Sequence, residues 1–462
     1  MFINILKVLV LLLFLNIKPL YSKNTNNTDF NSKNLSSYFS ALVSLENQQN
    51  KDSLKFFNHS RSLINFHKPY AKKYVNSLVL EGKIKKAAHE LKVISNENTT
   101  DFFDAHLILF LDSIKNEKNI KSREHLKKLL EFTGKGPFET VIVESLSDFF
   151  YVFQNKREKP INKELGDLGY INLTFQSCYL GDDKTDNYFE NLFNKTQLDY
   201  SRYLYFYVNY LISKKMYKDA KYITDTADVI NSNLLILETK NWIDTKKFKK
   251  ISSIFSCQKE NDILGEFFYL IASIYSSERD YKKSNFYLKI SNFLNPRFKF
   301  NLTLISENFY IDGKYSQSKV VMKDFNKDDG IYNWYKIKKN SLIILKEEGI
   351  EQSSTYLNSN FKKIKNPSEK ILFDMANLSK RYKKYNDAIN YYNKILPKLK
   401  ADSSIYADVL YRRGGGFERL GDYENSDKDL LRSLEIEPDD AYVLNYLAYS
   451  WLERNYKIDV AM

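Results

Sequence analysis

RRGGGFERLGDYENSDKDLLRSLEIEP, residues 412–438, sets three consecutive glycines in front of a segment with helical pattern. A glycine run there serves either a phosphate loop or a close approach between helices. A phosphate loop leaves a strand and ends in Gly-Lys-Ser/Thr, so that backbone N–H groups, an ammonium and a hydroxyl converge on phosphate and metal. Here the run is followed by Phe417, Glu418 and Arg419, and the preceding YADVLYRR has helical pattern. Nucleotide binding is therefore set aside, and the glycines are read as packing residues within a helix.

The surrounding sequence supplies the reason. In FYLIASIYSSERDYKKSNFYLKISNFLNP, Phe268, Ile271, Ala272 and Tyr275 recur at i, i+3, i+4 and i+7, one face of a helix. SSERD breaks the pattern, and Tyr281, Ser284, Leu288 and Ser291 form a second face that Asn295-Pro296 stops. This predicts a helix, a tight turn and a helix. Ser284 has counterparts at Ser318, Ser353, Ala388 and Ser426, at intervals of 34, 35, 35 and 38 residues. Three positions before each stands Tyr281, Tyr315, Ile350, Tyr385 or Tyr423. A period near 34 with a recurring small residue marks an array of helical repeats.

On these residues the chain resembles the tetratricopeptide repeat (TPR) family. The last full unit supplies Leu410, Arg413, Gly414, Phe417, Gly421-Asp422-Tyr423, Ser426, Leu430, Ser433 and Pro438. The unit before it supplies Leu372, Met375, Ala376, Tyr385, Ala388, Tyr392 and Pro397. Arg413 and Ser379 depart from the apolar residues usual at their places. The match runs from about residue 266 to the end, weaker over 337–360. Upstream it is looser: Ser53, Phe57 and Ser60 suit one unit, Gly82, Ala87 and Leu91 another, and Ala220 a third, while 101–180 is irregular. The resemblance implies an all-α, right-handed superhelical solenoid of antiparallel helix pairs, about ten to twelve of them. Divergent repeats are expected over 37–260, regular ones over 261–440, and an incomplete one over 441–462.

In such an array helices approach closely only where side chains are small. Ala272, Ser306, Ala376 and Gly414 fall at the crossing position of the first helix, and Ser284, Ser318, Ala388 and Ser426 at that of the second. A bulky residue at position 414 is expected to overpack the crossing by about 1–3 kcal/mol. Gly415 and Gly416 are not explained by that crossing.

Composition agrees with helices. The 462 residues include only 14 Gly and 8 Pro, and 15% are aromatic. Net charge is +13, but only 12 of the 70 basic residues are Arg. Lysine is a hydrated point charge, without the bidentate fork that reads phosphates and bases. The excess therefore reads as a solvated surface, and nucleic acid is not an expected partner. A module for an anionic polymer, glycan or nucleic acid, is the alternative reading. The opening MFINILKVLVLLLFLNIKPLYSKNTNN carries an apolar run over 8–15 after Lys7, too short to span a bilayer alone. It reads as a signal peptide over 1–22 or an N-terminal membrane anchor, followed by a flexible linker over 23–36. Cys178 and Cys257, 79 positions apart, would lie about two repeats from each other in a regular stack. That exceeds the roughly 7 Å Cα limit of a disulfide, so two buried free thiols are expected.

No catalytic pattern emerges. His59, His67, His89, His106 and His125 lack metal or triad spacing, and no G-x-S-x-G occurs. Asp328-Asp329 before Gly330 reads as a turn, and Asp439-Asp440 as the opening of the last helix. No catalytic residue, cofactor or metal is expected. What remains is a surface. The resemblance assigns the concave groove to Lys370, Phe373, Asn377, Lys380 and Arg381 in one unit. Asp408, Tyr411, Gly415, Glu418 and Arg419 follow in the next, and Tyr442, Asn445, Tyr449 and Glu453 in the last. The Lys/Asn/Arg carboxylate clamp of the family is missing from its usual fifth and ninth places, which read Phe373/Asn377, Tyr411/Gly415 and Asn445/Tyr449. The apolar AYVLNYLAYSWLERN of the last unit lacks a cover, which suggests a truncated chain or a C-terminus completed by a partner. The expected function is a non-catalytic scaffold for protein partners. It would be exported to the periplasm, or held at the periplasmic face of the inner membrane, of a Gram-negative bacterium.

Overall fold

The structure is a computed structural model that describes residues 32–65, 67–94, 97–160, 165–193, 201–326 and 329–462. The expected leader at 1–22 and Asp328 lie outside the described residues. The first helix already begins at Ser32, so positions 32–36, expected as linker, are helical. The described residues form α-helices and short 3₁₀ turns with no strand.

The chain divides into two units. The first, which among the described residues runs from 32 to 113 with 120–129, holds α1 (Ser32–Glu46), α2 (Asn50–His59), α3 (Lys68–Leu80), α4 (Ile84–Val93), the single turn α5 (Glu97–Thr100), and most of α6 (Phe103–Lys115) and α7 (Asn119–Leu130). The second, 114–119 with 130–462, begins with the long α8 (Pro137–Asn155), α9 (Gly166–Leu180) and α10 (Thr185–Phe193). It continues with α11 (Ser201–Ser213), α12 (Tyr217–Asp225), α13 (Leu234–Asp244), α14 (Phe248–Ile254), α15 (Glu260–Ser277), α16 (Tyr281–Leu294), α17 (Phe300–Ile311) and α18 (Tyr315–Val321). It ends with α19 (Ile331–Glu347), α20 (Ile350–Phe361), α21 (Glu369–Arg381), α22 (Tyr385–Ile395), α23 (Ser404–Arg419), α24 (Tyr423–Ile436), α25 (Ala441–Glu453) and the short α26 (Ile458–Ala461). Consecutive helices pair as hairpins: α1–α2 and α3–α4 in the first unit, then α9–α10 and each successive pair to α25–α26 in the second. Tyr281, Tyr315, Ile350, Tyr385 and Tyr423 each open the second helix of a hairpin.

The turn inside the hairpins is one motif used repeatedly. A residue of left-handed backbone ends the first helix, and the next N–H reaches back five residues to a helix carbonyl. Lys83 donates so to Leu78, Asp280 to Tyr275, Lys314 to Phe309, Lys384 to Ser379 and Asp422 to Phe417, at 2.8 to 3.0 Å. This satisfies the carbonyls a helix end leaves open. Glycine supplies the left-handed residue at Gly82, Gly313 and Gly421, but Arg279 and Lys383 hold the same conformation. That explains why so few glycines suffice.

The small residues set the hairpin crossings. Ser53 donates its hydroxyl to the carbonyl of Ala41, Ser318 to that of Ser306 and Ser353 to that of Ser341. Each acceptor lies 12 positions earlier. A second contact recurs 26 positions apart, Ser291 to Gly265 and Ser433 to Ala407. Ala272, Ser284, Ser306, Ser318, Ala376, Ala388 and Ser426 have no exposed surface, and Gly414 is buried. The stretch 337–360, weak in sequence, makes a hairpin of the same kind through Ser341 and Ser353.

The second unit also closes on itself across several hairpins. Arg202 of α11, buried, forks onto Glu266 of α15 at 2.7 and 2.6 Å and reaches Asn301 of α17 at 3.2 Å. The Tyr269 ring lies 3.6 Å from its guanidinium carbon. Burial works against the charge of Arg202, and Glu266 outweighs it, so its proton is held more firmly than usual. Phe175, Phe206, Phe255 and Phe298 bring α9, α11 and the connections leading into α15 and α17 together. This closure corrects the expectation for the cysteines. Cys178 and Cys257 form a disulfide with Cα atoms 5.7 Å apart. The regular-stack estimate failed because the connection after α14 folds back beside the end of α9, where Gln258 donates to the Cys178 carbonyl.

Candidate functional site: the groove of the last hairpins

The three glycines of α23 face three different neighbours, because successive helical residues turn by about 100°. A Cβ on Gly414 would lie 3.1 Å from Leu430 Cγ and 3.3 Å from Asp429 Cβ, inside its own hairpin. One on Gly416 would lie 3.1 Å from Ile389 Cγ1 of the preceding hairpin. One on Gly415 would meet Lys380 Nζ at 2.9 Å and Tyr446 Oη at 3.3 Å. Gly414 and Gly416 thus fit α23 between two hairpins, and Gly415 bares its backbone to the face shared by α21, α23 and α25. Arg413 forks onto Asp429 at 2.7 Å, which accounts for a charged residue at a usually apolar place.

The residues assigned to the groove divide along this face. At the α21 end the groove is filled by the chain itself. Between α12 and α13, Asp228 accepts from the backbone N–H groups of Ile230 and Asn231 at 2.7 and 2.8 Å. That turn puts Ile230, fully buried, into one cluster with Leu372, Phe373, Ala376, Val409 and Leu410, with Val229 beside it. Phe373, expected as a contact residue, is accordingly only 4% exposed. Lys370 pairs with Asp374 at 3.4 Å. Burial lowers its proton affinity, which Asp374 and, more weakly, Asp228 favour. Asp374 also accepts from Trp334 Nε1 at 2.9 Å and from Lys338. A cavity of about 550 Å³ between α13, α19 and α21 runs beside this segment, lined by Glu238, Lys240, Trp334 and Lys370.

Towards α25 the groove is open. Asn377 accepts from the Tyr392 hydroxyl at 2.6 Å. Arg412 pairs with Asp408 at 3.0 Å, and its guanidinium lies 5.1 Å from the Phe373 ring centroid. Tyr446 donates to Glu418 at 2.9 Å and meets Tyr411 edge-on at 5.8 Å. Arg419, exposed, stands 3.4 Å from Glu418. Arg381 and Asn445 are exposed, as are Tyr442 at 79% and Tyr449 at 64%. Lys380 is half-buried. Burial, and then Arg412 and Arg419, lower its proton affinity, with Glu418 opposing.

The structure therefore brings Lys380, Glu418 and Arg419 together with Gly415, while Lys370 and Phe373 belong to a part of the groove already occupied. Asp440, expected to open the last helix, caps α25 by accepting from Tyr442 and Val443. Sequence reading missed Ile230 and Val229. Their signal was an apolar pair inside the otherwise polar TDTADVINSN. It also missed Tyr446 and Arg412, which stand next to assigned positions. No group of three or more His, Cys, Asp or Glu among the described residues is arranged to hold a metal. No helix among them is long and apolar enough to cross a membrane.

No protein-family model matches the chain, and no curated protein matches it in sequence. Among solved structures it is similar to the APC/C hetero-tetramer Cut9-Hcn1, at 13% identity over 92% of this chain and 91% of that one, with a TM-score of 0.32. It is also similar to the yeast Tom70, at 12% identity over 91% and 96%, with a TM-score of 0.33. The third is the TPR domain of P58(IPK), at 13% identity over 92% and 99%, with a TM-score of 0.23. The fold assignment rests on the hairpins of the chain itself, with their shared turn and 12-residue crossing contact.

Proposed function

We propose that the protein is a non-catalytic scaffold of the cell envelope that holds segments of partner proteins in the groove of its last hairpins. One observation carries the reading. Tyr442, Asn445, Tyr446 and Tyr449 form a single stripe along α25 at i, i+3, i+4 and i+7. Tyr442 and Tyr449 stand exposed on it. Tyrosines and arginines are the residues on which protein interfaces concentrate their binding energy, and Tyr411 and Arg419 lie beside this stripe. Residence outside the reducing cytosol is supported by the Cys178–Cys257 disulfide and by the apolar run near the start of the sequence.

The test is site-specific photo-crosslinking in intact cells. A photoreactive residue at position 449 or 442 should give discrete protein adducts in the envelope fraction. One at position 222, where Tyr222 is 71% exposed on α12, should not. Adducts at 222 alone, or only with cytoplasmic proteins, contradict the reading.

A further inference from the structure

We propose that the open end of the groove is a carboxylate site, in which Lys380 seats an aspartate or glutamate side chain of a partner polypeptide over the bare backbone of Gly415. The inference rests on the scaffold reading and specifies the chemistry of what is held.

Five cations stand on α21 and α23 at or beside the groove positions: Lys370, Lys380, Arg381, Arg412 and Arg419, of which Arg381 is exposed to solvent. Lys370 has Asp374, Arg412 has Asp408 and Arg419 has Glu418, at 3.4, 3.0 and 3.4 Å. Lys380 makes no ion pair and no hydrogen bond among the described residues. Glu418, the acid that acts on it, is engaged by the Tyr446 hydroxyl and by Arg419. A half-buried ammonium without a counter-ion is costly, and the cost is relieved when a ligand supplies the charge. The cations at its sides raise that cost and would be offset by the same ligand.

Gly415 gives the site its shape. The Lys380 ammonium lies where any side chain at 415 would begin, 2.9 Å from a built Cβ. Glycine in a helix interior is unfavourable relative to alanine, and neither hairpin crossing calls for one at this position. Its effect is to let Lys380 lie low across α23, with Tyr446 on the far side. A polypeptide suits the site because the floor continues into Tyr411, Tyr446 and Tyr449. The chain's own 228–230 segment also fills the other end of the groove with an acid and an aliphatic residue, Asp228 and Ile230. Lys380 lies outside the fifth and ninth places of the family's clamp, and Gly415 stands at a ninth place with no side chain to offer, so this is a different construction from that one.

The test measures fluorescence anisotropy of two labelled decapeptides on the full chain, N-acetylated and C-amidated so that side chains alone differ. One alternates glutamate with tyrosine, the other glutamine with tyrosine. The glutamate peptide should bind at least about tenfold more tightly, as a charge-assisted contact requires. Lys380→Met and Gly415→Ala should each abolish the preference. Gly415→Ala should melt no lower than the parent, which separates lost binding from lost folding, and Lys383→Met should leave the preference intact. Equal binding of the two peptides overturns the carboxylate site and leaves the scaffold reading standing. A preference that survives Lys380→Met, or binding of neither peptide, also overturns it. Displacement of the peptide by inorganic phosphate from the parent but not from Lys380→Met would make free phosphate the ligand instead. Failure of the scaffold reading shows separately, as an absence of adducts at 449.

Discussion

Ser318 donates its hydroxyl to the backbone carbonyl of Ser306, 12 residues earlier and on the facing helix, at 3.0 Å. The two hydroxyls also lie 2.9 Å apart. A contact this close needs the second helix to carry no more than a hydroxymethyl at that point, and the same spacing recurs at Ala41–Ser53 and Ser341–Ser353. Ser318→Ala should lower stability by about 1 kcal/mol through the lost hydrogen bond. Ser318→Leu should lower it by about 1–3 kcal/mol through overpacking. Gly414→Val should resemble Ser318→Leu. Gly415→Ala, whose new methyl meets the flexible end of Lys380 at 2.9 Å and the Tyr446 hydroxyl at 3.3 Å, should be neutral or raise stability by up to about 1 kcal/mol. Denaturant unfolding of the four variants checks the ordering.

Opening the Cys178–Cys257 bridge should lower stability by about 2–5 kcal/mol, because the released chain between the two cysteines regains freedom in the unfolded state. Thermal melting with and without reductant, and of the Cys178→Ser/Cys257→Ser variant, measures it. In intact cells both thiols should resist alkylation. Labelling of native protein at both positions would contradict the bridge.

Glu266→Gln should cost about 3–5 kcal/mol, since Arg202 would remain buried with its counter-charge removed. Replacing both partners, Arg202→Met with Glu266→Leu, should cost less than the single change. A double substitution at least as damaging as the single one, read from denaturant midpoints, would contradict a buried pair.

Much of the fold was legible. The small residues at Ser284, Ser318, Ser353, Ala388 and Ser426 are periodic, and periodicity is a local signal that survives in one sequence. The contacts that close the second unit were not legible, because they join elements many residues apart. Neither Cys178 with Cys257 nor Ile230 with Phe373 leaves a repeat in the sequence. The candidate site shows the same division. Its positions on α21, α23 and α25 followed from the repeat register. That Ile230 covers Phe373 while Lys380 stays open depends on where one irregular connection lies.

Stability should fall as pH rises above about 10. Burial raises the phenols of Tyr205 and Tyr335, and burial with Asp186 pushes Tyr210 up to about 12. A raised group keeps its proton in the folded state while the unfolded chain, at about 10, has lost it. Its contribution is complete below pH 10 and is lost as pH climbs towards the folded value. Spectrophotometric titration should show a set of tyrosines that ionise only as the protein unfolds. Ionisation of all of them near pH 10 with the fold intact would contradict their burial.

The most direct measurement of the groove account is hydrogen–deuterium exchange on the full chain and its Ile230→Ser variant. If Ile230 covers one end of the groove, the variant should lose protection at 227–233 and along α21 and the facing part of α23, with α15 to α18 unchanged. Unchanged exchange in α21, or an equal loss through the whole second unit, would contradict a groove partly filled by the protein's own segment.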